Sequence, residues 1–183
     1  MGIILIGLIA YIVGNVSGGI ILSKLIYKQD IRDQGSGNAG ATNALRVFGK
    51  RAGFFTFLID FVKGFIITFI GHKIYGDLGL FVAGLAVVLG HDWPMLYGFK
   101  GGKGIATSFG VLCAVSPLYI LTVFGVFLIV VIITKYVSLG SIISALISIL
   151  IGVYFILVKD SYYMGMLYIL LALITIFKHK SNI

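Results

Sequence analysis

Two segments of this chain combine glycines, small polar residues and basic residues in a pattern that suits phosphate binding. Successive glycines allow backbone N–H groups to converge on an anion, because no Cβ blocks the approach. A helix that begins just after such a loop adds the positive end of its dipole, and Arg or Lys supplies full charge. The first segment covers residues 30–46, and its candidate contacts are Gly35, Ser36, Gly37, Asn38, Thr42, Asn43 and Arg46.

The second segment, residues 90–107, has the same character. A single Gly-Gly pair more often makes only a tight turn, but two dense segments of this kind favour binding. Together they predict a site for one or two phosphorylated molecules. No metal site is predicted, because the three His are scattered and neither segment contains Cys. The candidate contacts in the second segment are His91, Lys100, Gly101, Gly102, Lys103, Gly104 and Thr107.

Three literal motif matches do not lead to other functions. Residues 35–40 fit G-x-G-x-x-G, but no strand precedes them, so a dinucleotide-binding fold is rejected. The Gly-Gly-Lys-Gly run at residues 101–104 does not match the P-loop pattern. Tyr97 stands where that pattern has its first glycine, and Gly104 stands where it has Ser or Thr. His72 and Asp77 have the H-x-x-x-x-D spacing of an acyltransferase family, which we interpret as chance in a short turn away from both glycine segments.

Two opposite charges stand inside an apolar stretch. Asp60 and Lys63 are three residues apart, which places them on one face of a helix. Charges inside a membrane cost roughly 2.5–3.5 kcal/mol each on insertion scales and often mark function. The pair could act at the site, or it could neutralise itself and orient the first glycine segment, and the sequence leaves both open. Gly14 and Gly18 form a small-xxx-small pattern that suits close helix packing.

The composition requires lipid as part of the solvent. Hydrophobic residues make up 60% of the 183 positions and charged residues 11%, whereas soluble domains carry about a quarter charged residues. The net charge of +8 is expected to reflect membrane orientation rather than nucleic-acid binding. The single Cys113 lies in an apolar run, so no disulfide is expected. The first apolar run lacks a basic leader and a cleavage site, which predicts a retained span.

These apolar stretches predict an all-α integral membrane protein with one domain over residues 1–183. Each span needs about 20 mostly apolar residues. Residues 105–134 could form one helix kinked at Ser116-Pro117, giving six spans, or two helices, giving seven. Seven spans place most Lys and Arg on the side of the two glycine-rich loops, which is the cytoplasmic pattern. We therefore predict about seven spans, at residues 3–26, 52–73, 77–94, 105–115, 117–134, 139–158 and 161–178.

In the two glycine segments and around Asp60 and Lys63, the sequence resembles the bacterial acyl-phosphate-dependent glycerol-3-phosphate acyltransferases (the PlsY family). The resemblance covers essentially the whole chain and rests on residues 35–46, 60–64, 90–107 and 136–141. Near the C-terminus, His179 and Asn182 fit a third motif of the family. In that motif an acidic residue stands at the position of Ser181, and a basic extension follows that this sequence lacks.

The resemblance implies transfer of a fatty acyl group from acyl phosphate to the sn-1 hydroxyl of glycerol 3-phosphate. The products would be lysophosphatidic acid and inorganic phosphate, in phospholipid biosynthesis at the bacterial inner membrane. It also implies seven spans, no acyl-CoA or acyl carrier protein, no bound cofactor, and, we expect, a monomer. By the same resemblance the catalytic groups are Ser36, Arg46, Lys103, His179 and Asn182, with backbone donors at Gly101, Gly102 and Gly104 and further contacts at Ser138 and Ser141.

The sequence shows no Ser–His–Asp or Cys–His arrangement for a covalent nucleophile. This agrees with the implied reaction, because an acyl phosphate is already activated and needs none. Catalysis would depend on positioning the hydroxyl and stabilising the departing phosphate. The general base could be His91, His179 or a substrate phosphate, and the sequence does not choose. A small organic-phosphate transporter is the alternative, although the glycine loops flank the membrane and no repeat is visible. A non-catalytic lipid-binding protein would not explain two phosphate-binding loops.

Overall fold

The computed structural model describes residues 1–182, apart from the side chain of Ser181. Within these residues the regular secondary structure is entirely helical, as predicted. Short 3₁₀ turns lie at Ile31–Asp33, Met95–Tyr97 and Lys180–Asn182. The α-helices are α1 (Gly2–Gly14), α2 (Gly18–Leu25), α3 (Ala41–Phe48), α4 (Lys50–Asp92), α5 (Ile105–Val115), α6 (Pro117–Thr134), α7 (Val137–Leu157) and α8 (Tyr162–Lys178).

Helix α4 is a hairpin rather than one straight rod. Its backbone leaves helical geometry at Tyr75 and Gly76, and Gly76 has a φ of 58°, which glycine adopts without a Cβ clash. Beyond the turn the two arms fold back on each other. A Cβ on Gly79 would lie 2.0 Å from the carbonyl oxygen of Gly71, so the arms touch backbone to backbone. The predicted break between residues 73 and 77 is therefore confirmed.

The first predicted span is bent, and the expectation of one helix over residues 3–26 is wrong. Helices α1 and α2 meet at 41°. Lys63 Nζ donates to the carbonyls of Gly14 at 3.0 Å and Val16 at 2.6 Å, and the amide of Gly18 donates to Asp60 Oδ1 at 3.2 Å. The buried charges replace the backbone hydrogen bonds lost at the bend, which is why the break is tolerated in an apolar interior.

The chain between α4 and α7 contains two separate helices. Ser116 is non-helical, and Pro117 is the first residue of α6, where its missing N–H costs nothing. The predicted division at residues 105–115 and 117–134 is confirmed. Among residues 1–182, three stretches are long and apolar enough to cross a membrane, namely Lys50–Tyr97, α6 and α7. The bent pair α1–α2 makes a fourth, whereas α5 and α8 are apolar but shorter. The count of seven crossings stays a prediction.

The core lies between α1, α4, α5 and α8, and large apolar side chains also cover the outside. Ala10, Val87, Val111 and Leu167 are fully buried in this core. Helix α6 by contrast buries only Ile120 and Val123. Its remaining surface exposes large aliphatic side chains that would be unstable in water, so hydrocarbon must cover it. Helices α5, α6, α7 and α8 all contribute side chains to one internal space, and the outer surface of α6 faces lipid.

Candidate active site

The first glycine loop is held in shape by a buried amide. Asn43 Nδ2 donates to the carbonyls of Gln34 at 2.9 Å and Asn38 at 3.0 Å, and its Oδ1 accepts from the amide of Ser36 at 2.9 Å. Gly35 has a φ of 58°, and a Cβ there would lie 2.4 Å from Asn43 Oδ1. Asn43 therefore acts first as a brace, and it fixes the position of Ser36.

Two helix N-termini open onto one cavity of about 360 Å³. Helix α3 begins at Ala41, directly after the first glycine loop, and α5 begins at Ile105, directly after the second. The opening residues of both helices line the cavity. The first N–H groups of an α-helix have no intrahelical acceptor, so each end offers donors and a positive dipole end to an anion.

Two cationic side chains complete this polar end. Arg46, in the last turn of α3, lines the cavity and has no hydrogen-bond or ion-pair partner among residues 1–182. Lys103 also lines it, and its Nζ donates to Asn182 Oδ1. Burial, together with the nearby charge of Lys178, lowers the pKa of Lys103. Arginine can bind an oxyanion with a fork, whereas lysine acts as a compact charge.

The second glycine loop packs on His91. The amide of Gly102 donates to the carbonyl of His91 at 3.2 Å. A Cβ on Gly101 would lie 2.0 Å from that carbonyl oxygen, and a Cβ on Gly102 would lie 2.1 Å from His91 Nε2. These two positions must be glycine for the loop to lie against the histidine, and the contact leads the chain to Gly104, whose φ is 70°, at the start of α5.

The tautomer of His91 follows from its partner. Lys63 Nζ lies 2.8 Å from His91 Nδ1 and 2.9 Å from Asp60 Oδ1. An ammonium can only donate, so Nδ1 accepts and the proton of the neutral imidazole is on Nε2. His91 is thus a hydrogen-bond donor at the cavity wall and not a proton acceptor. Asp60 and Lys63 hold both this ring and the bend between α1 and α2.

His179 has the opposite arrangement. Its Nδ1 lies 2.8 Å from the carbonyl oxygen of Thr175, which can only accept, so Nδ1 carries the proton. Nε2 therefore carries the lone pair, and the residue lines the cavity. Burial lowers the pKa of His179 from its ordinary value of 6.5, which favours the neutral ring. Of the two histidines proposed from the sequence as general bases, only His179 keeps an acceptor nitrogen.

The two glycine segments lie together on one side of the helix bundle. Arg32 donates to the carbonyl of Tyr97 at 2.9 Å, which joins the first segment to the second. Both terminal nitrogens of the Arg32 guanidinium are engaged, because Nη2 also donates to Asp30 Oδ2 at 2.8 Å. The guanidinium holds the pKa of Asp30 well below its usual range. The amide of Leu96 also donates to Asn15 Oδ1 at 3.0 Å, which fastens the second segment to the α1–α2 bend.

Most of the residues predicted from the sequence line the one cavity. They come from both glycine segments, from α4, from the start of α7 and from the C-terminal end. Ser36, Lys103 and His179, which are far apart in sequence, meet there. The predicted residues in the lining are Ser36, Asn38, Thr42, Asn43, Arg46, Asp60, His91, Lys103, Gly104, Ser138, Ser141, His179 and Asn182.

The other predicted residues lie behind or beside the lining. Gly101 and Gly102 face His91, Gly35 faces Asn43, and Lys63 faces the α1–α2 bend. Thr107 is fully buried, with its backbone close to Gly64 of α4. Gly37 and Lys100 line a separate surface cavity of about 500 Å³ with Asp30, Arg32 and Tyr97. Seven predicted residues are therefore absent from the cavity lining, and their roles stay predictions: the substrate contacts Gly35, Gly37, Lys100, Gly101, Gly102 and Thr107, and Lys63, which was predicted in a supporting role.

The cavity also has an apolar part, whose lining residues the sequence did not identify. It extends from the polar end between α5, α6, α7 and α8, with aromatic side chains on one wall and small side chains of α7 on another. Ser138, Ser141, Ser144 and Ser148 recur every three or four residues, and this spacing could have revealed the shared face. The apolar and small lining residues are Phe57, Phe109, Leu112, Ile120, Val123, Phe124, Phe127, Ser144, Ala145, Ser148, Tyr168, Leu171 and Ala172.

Comparison with known proteins gives the family. Residues 4–183 match the family model described as glycerol-3-phosphate acyltransferase. A glycerol-3-phosphate acyltransferase of Finegoldia magna is 55% identical over 181 residues, covering 99% of this chain and 90% of that protein. One from Thermoanaerobacter pseudethanolicus is 45% identical over 180 residues, covering 98% and 89%.

Solved structures give the same result. The crystal structure of PlsY (YgiH), an integral membrane glycerol 3-phosphate acyltransferase, in its glycerol 3-phosphate form matches with a TM-score of 0.91 at 37% identity. It covers all of this chain and 90% of that one. The lysophosphatidic acid form of PlsY matches with a TM-score of 0.87 at 36% identity, with the same coverage. This chain is therefore an integral membrane protein that belongs to the glycerol-3-phosphate acyltransferase family.

Proposed function

We propose that this chain transfers a fatty acyl group from acyl phosphate to the sn-1 hydroxyl of glycerol 3-phosphate, giving lysophosphatidic acid and inorganic phosphate. The observation that supports this most is the continuity of the cavity. Its polar end carries Arg46, Lys103 and two helix N-termini, and it passes directly into a space walled by apolar side chains. Such a cavity suits a molecule with a phosphate at one end and a hydrocarbon chain at the other.

The polar end has enough positive charge for two phosphorylated substrates. Two phosphate groups close together repel each other unless cations stand between them. Arg46 binds one group through its guanidinium fork, and Lys103 with the N-terminus of α5 binds the other. Asn182 holds the Lys103 ammonium, so the C-terminal motif positions this charge. Ser36 lies on the braced loop between the two.

The reaction needs no covalent intermediate with the chain. The glycerol hydroxyl oxygen attacks the acyl carbonyl carbon, the bond from that carbon to the phosphate oxygen breaks, and the phosphate leaves with the electron pair. The hydroxyl proton passes to a base. His91 is unsuitable because its Nε2 already carries a proton, so His179 Nε2 or a substrate phosphate takes this role. The N–H of His91 and the cations stabilise the charge on the departing phosphate.

The membrane position of the site follows from the charges. The chain from Lys24 to Arg51, the second glycine segment, the α6–α7 connection and the C-terminal end lie on one side and contain most of the Lys and Arg. We propose that this side faces the cytoplasm of a bacterium and that acyl phosphate enters the apolar part from the inner leaflet. We also propose that the protein acts as a monomer, since both glycine segments and the C-terminal motif contribute to one cavity.

The test is a defined reaction with purified protein in lipid. Acyl phosphate and glycerol 3-phosphate are supplied, and lysophosphatidic acid and inorganic phosphate are measured. We expect the two products in equal amounts, with no transfer when acyl-CoA replaces acyl phosphate. Transfer from acyl-CoA alone would overturn the proposed donor. Uptake of glycerol 3-phosphate into sealed vesicles without any product would instead support the transporter.

A further inference from the structure

The inner end of the apolar cavity is closed by a rigid aromatic group. Tyr168 of α8 is fully buried and lines this end. Its ring stacks on Phe155 with centroids 5.6 Å apart, and Phe155 packs edge-on against Tyr119 at 4.9 Å. The Tyr168 hydroxyl is hydrogen-bonded to the Ser116 side chain at the break between α5 and α6. A ring held on both its face and its hydroxyl cannot swing aside for a longer ligand.

Helices α7 and α8 also meet just beyond this ring, so no further space exists between them. A Cβ on Gly152 would lie 2.7 Å from the carbonyl oxygen of Gly165 and 3.1 Å from Tyr168 Cβ. On the cavity side of this contact, one turn earlier in α7, is Ser148, and a further turn earlier is Ser144. The small serines keep the cavity open up to the point where the glycines close it.

Two of these serines are satisfied within α7, whereas the buried hydroxyl of Ser144 has no hydrogen-bond partner among the described residues. Ser148 Oγ donates to the carbonyl of Ser144 at 2.9 Å, and Ser141 Oγ donates to that of Val137 at 3.0 Å. Bonds to a carbonyl four residues earlier satisfy the hydroxyl within the helix. Side chains this short leave room that Leu or Phe would fill.

We propose that Tyr168 sets the longest acyl chain that fits the cavity, and that Ser144 and Ser148 mark successive depths along it. This inference rests on the proposed acyl transfer. Ser144 lies four residues nearer the polar end than Ser148, or about 6 Å at 1.5 Å per residue. An extended alkyl chain advances roughly 1.3 Å per carbon for bonds of about 1.5 Å. The two serines are thus separated by about four to five carbons of acyl chain.

The test is a competition assay in which purified protein receives a series of saturated acyl phosphates of increasing length. Ser148→Leu is expected to shorten the preferred chain, and Ser144→Leu to shorten it by about four carbons more. Each methylene that no longer fits should lower kcat/KM about fourfold, the value of one buried CH₂. Tyr168→Ala should extend the profile towards longer chains, and Tyr168→Phe, which keeps the stacked ring but loses the bond to Ser116, should extend it less.

A matched control adds bulk to α7 outside the cavity. Leu150 is exposed on the lipid-facing side of the same helix, so Leu150→Phe should leave the profile unchanged. KM for glycerol 3-phosphate should also be unchanged in every variant, since the polar end is not altered. Wild-type transfer with identical length profiles for Ser144→Leu, Ser148→Leu and wild type would overturn the inference. Absence of transfer for every chain length in the wild type would overturn the proposed function instead.

Discussion

Removal of the Asn43 amide is expected to disorder the first glycine loop and abolish most of the activity. The side chain is 2% exposed, and its Nδ2 contacts three carbonyls, those of Gln34, Asn38 and Ile31 at 2.9, 3.0 and 3.3 Å. Its Oδ1 is the acceptor for the amide of Ser36 at 2.9 Å. Asn43→Ala removes all of these bonds at once and leaves the loop groups without partners.

The size of the effect can be worked from these bonds. A neutral hydrogen bond contributes about 1 kcal/mol net, and a buried group left unpaired costs about 1–3 kcal/mol. Loss of the three short bonds therefore destabilises the ordered loop by about 3 kcal/mol. At about 1.4 kcal/mol per tenfold change, this lowers the ordered population on the order of a hundredfold. Since Ser36 and Arg46 both depend on that loop, kcat/KM should fall by a similar factor.

Two assays separate this brace from a direct contact with substrate. Initial rates give kcat/KM, and limited trypsin digestion reports cleavage within residues 28–46, which the brace keeps ordered. The matched control is Ser23→Ala, which removes a single bond to the same loop, from the amide of Ile31 at 3.2 Å, outside the cavity. Ser23→Ala should lower kcat/KM only a few-fold. An Asn43→Ala protein with wild-type trypsin resistance, or with no more loss of activity than Ser23→Ala, would refute the reasoning.

Three further predictions concern the remaining parts of the site. Arg46→Lys should lower kcat/KM at least tenfold, because the forked contact is lost while the charge stays, and equal rates would exclude a bidentate role. Gly102→Ala should lower kcat/KM about a hundredfold, because the new Cβ would lie 2.1 Å from His91 Nε2, which Lys63 holds in place; unchanged kinetics would contradict the packing. Burial lowers the pKa of His179, so its folded form binds fewer protons than its unfolded form below pH 6.5. The activity and the stability that depend on the neutral ring should therefore be lost as the pH falls through the pKa of folded His179, which lies below 6.5. This loss of activity at acid pH should be absent in His179→Gln. If His179→Gln still loses activity at acid pH, a different group must be the one that titrates.

The helical elements that follow apolar stretches were predictable, and those that depend on distant partners were not. The lengths of the apolar stretches predicted the positions of α6 and α7, and Pro117 predicted the break before α6. The bend at residues 15–17 was missed because it depends on Lys63 and Asp60, which only the folded chain brings there. Helix α3 was read as part of a loop, since eight residues with several polar positions carry little helical signal.

The same distinction applies to the site. The sequence identified both glycine segments, because anion binding requires their residue types and because they resemble a known family. It could not show which glycines face the cavity, and Gly101 and Gly102 instead pack against His91. Nor could it separate apolar side chains that line the channel from those that face lipid, since both are equally hydrophobic. Ser144 and Ser148 were overlooked for a different reason, because their spacing with Ser138 and Ser141 was not recognised as one helix face.

We propose that a single cavity, and not the general positive charge of the protein surface, binds the phosphate groups. Lys103 and Lys100 test it directly, because both belong to the same loop and carry the same charge, but only Lys103 lines the cavity. Transfer from acyl phosphate to glycerol 3-phosphate should fall at least about a hundredfold in Lys103→Ala, with membrane insertion intact, and change less than about threefold in Lys100→Ala. Equal losses in the two variants, or a greater loss in Lys100→Ala, would contradict the account.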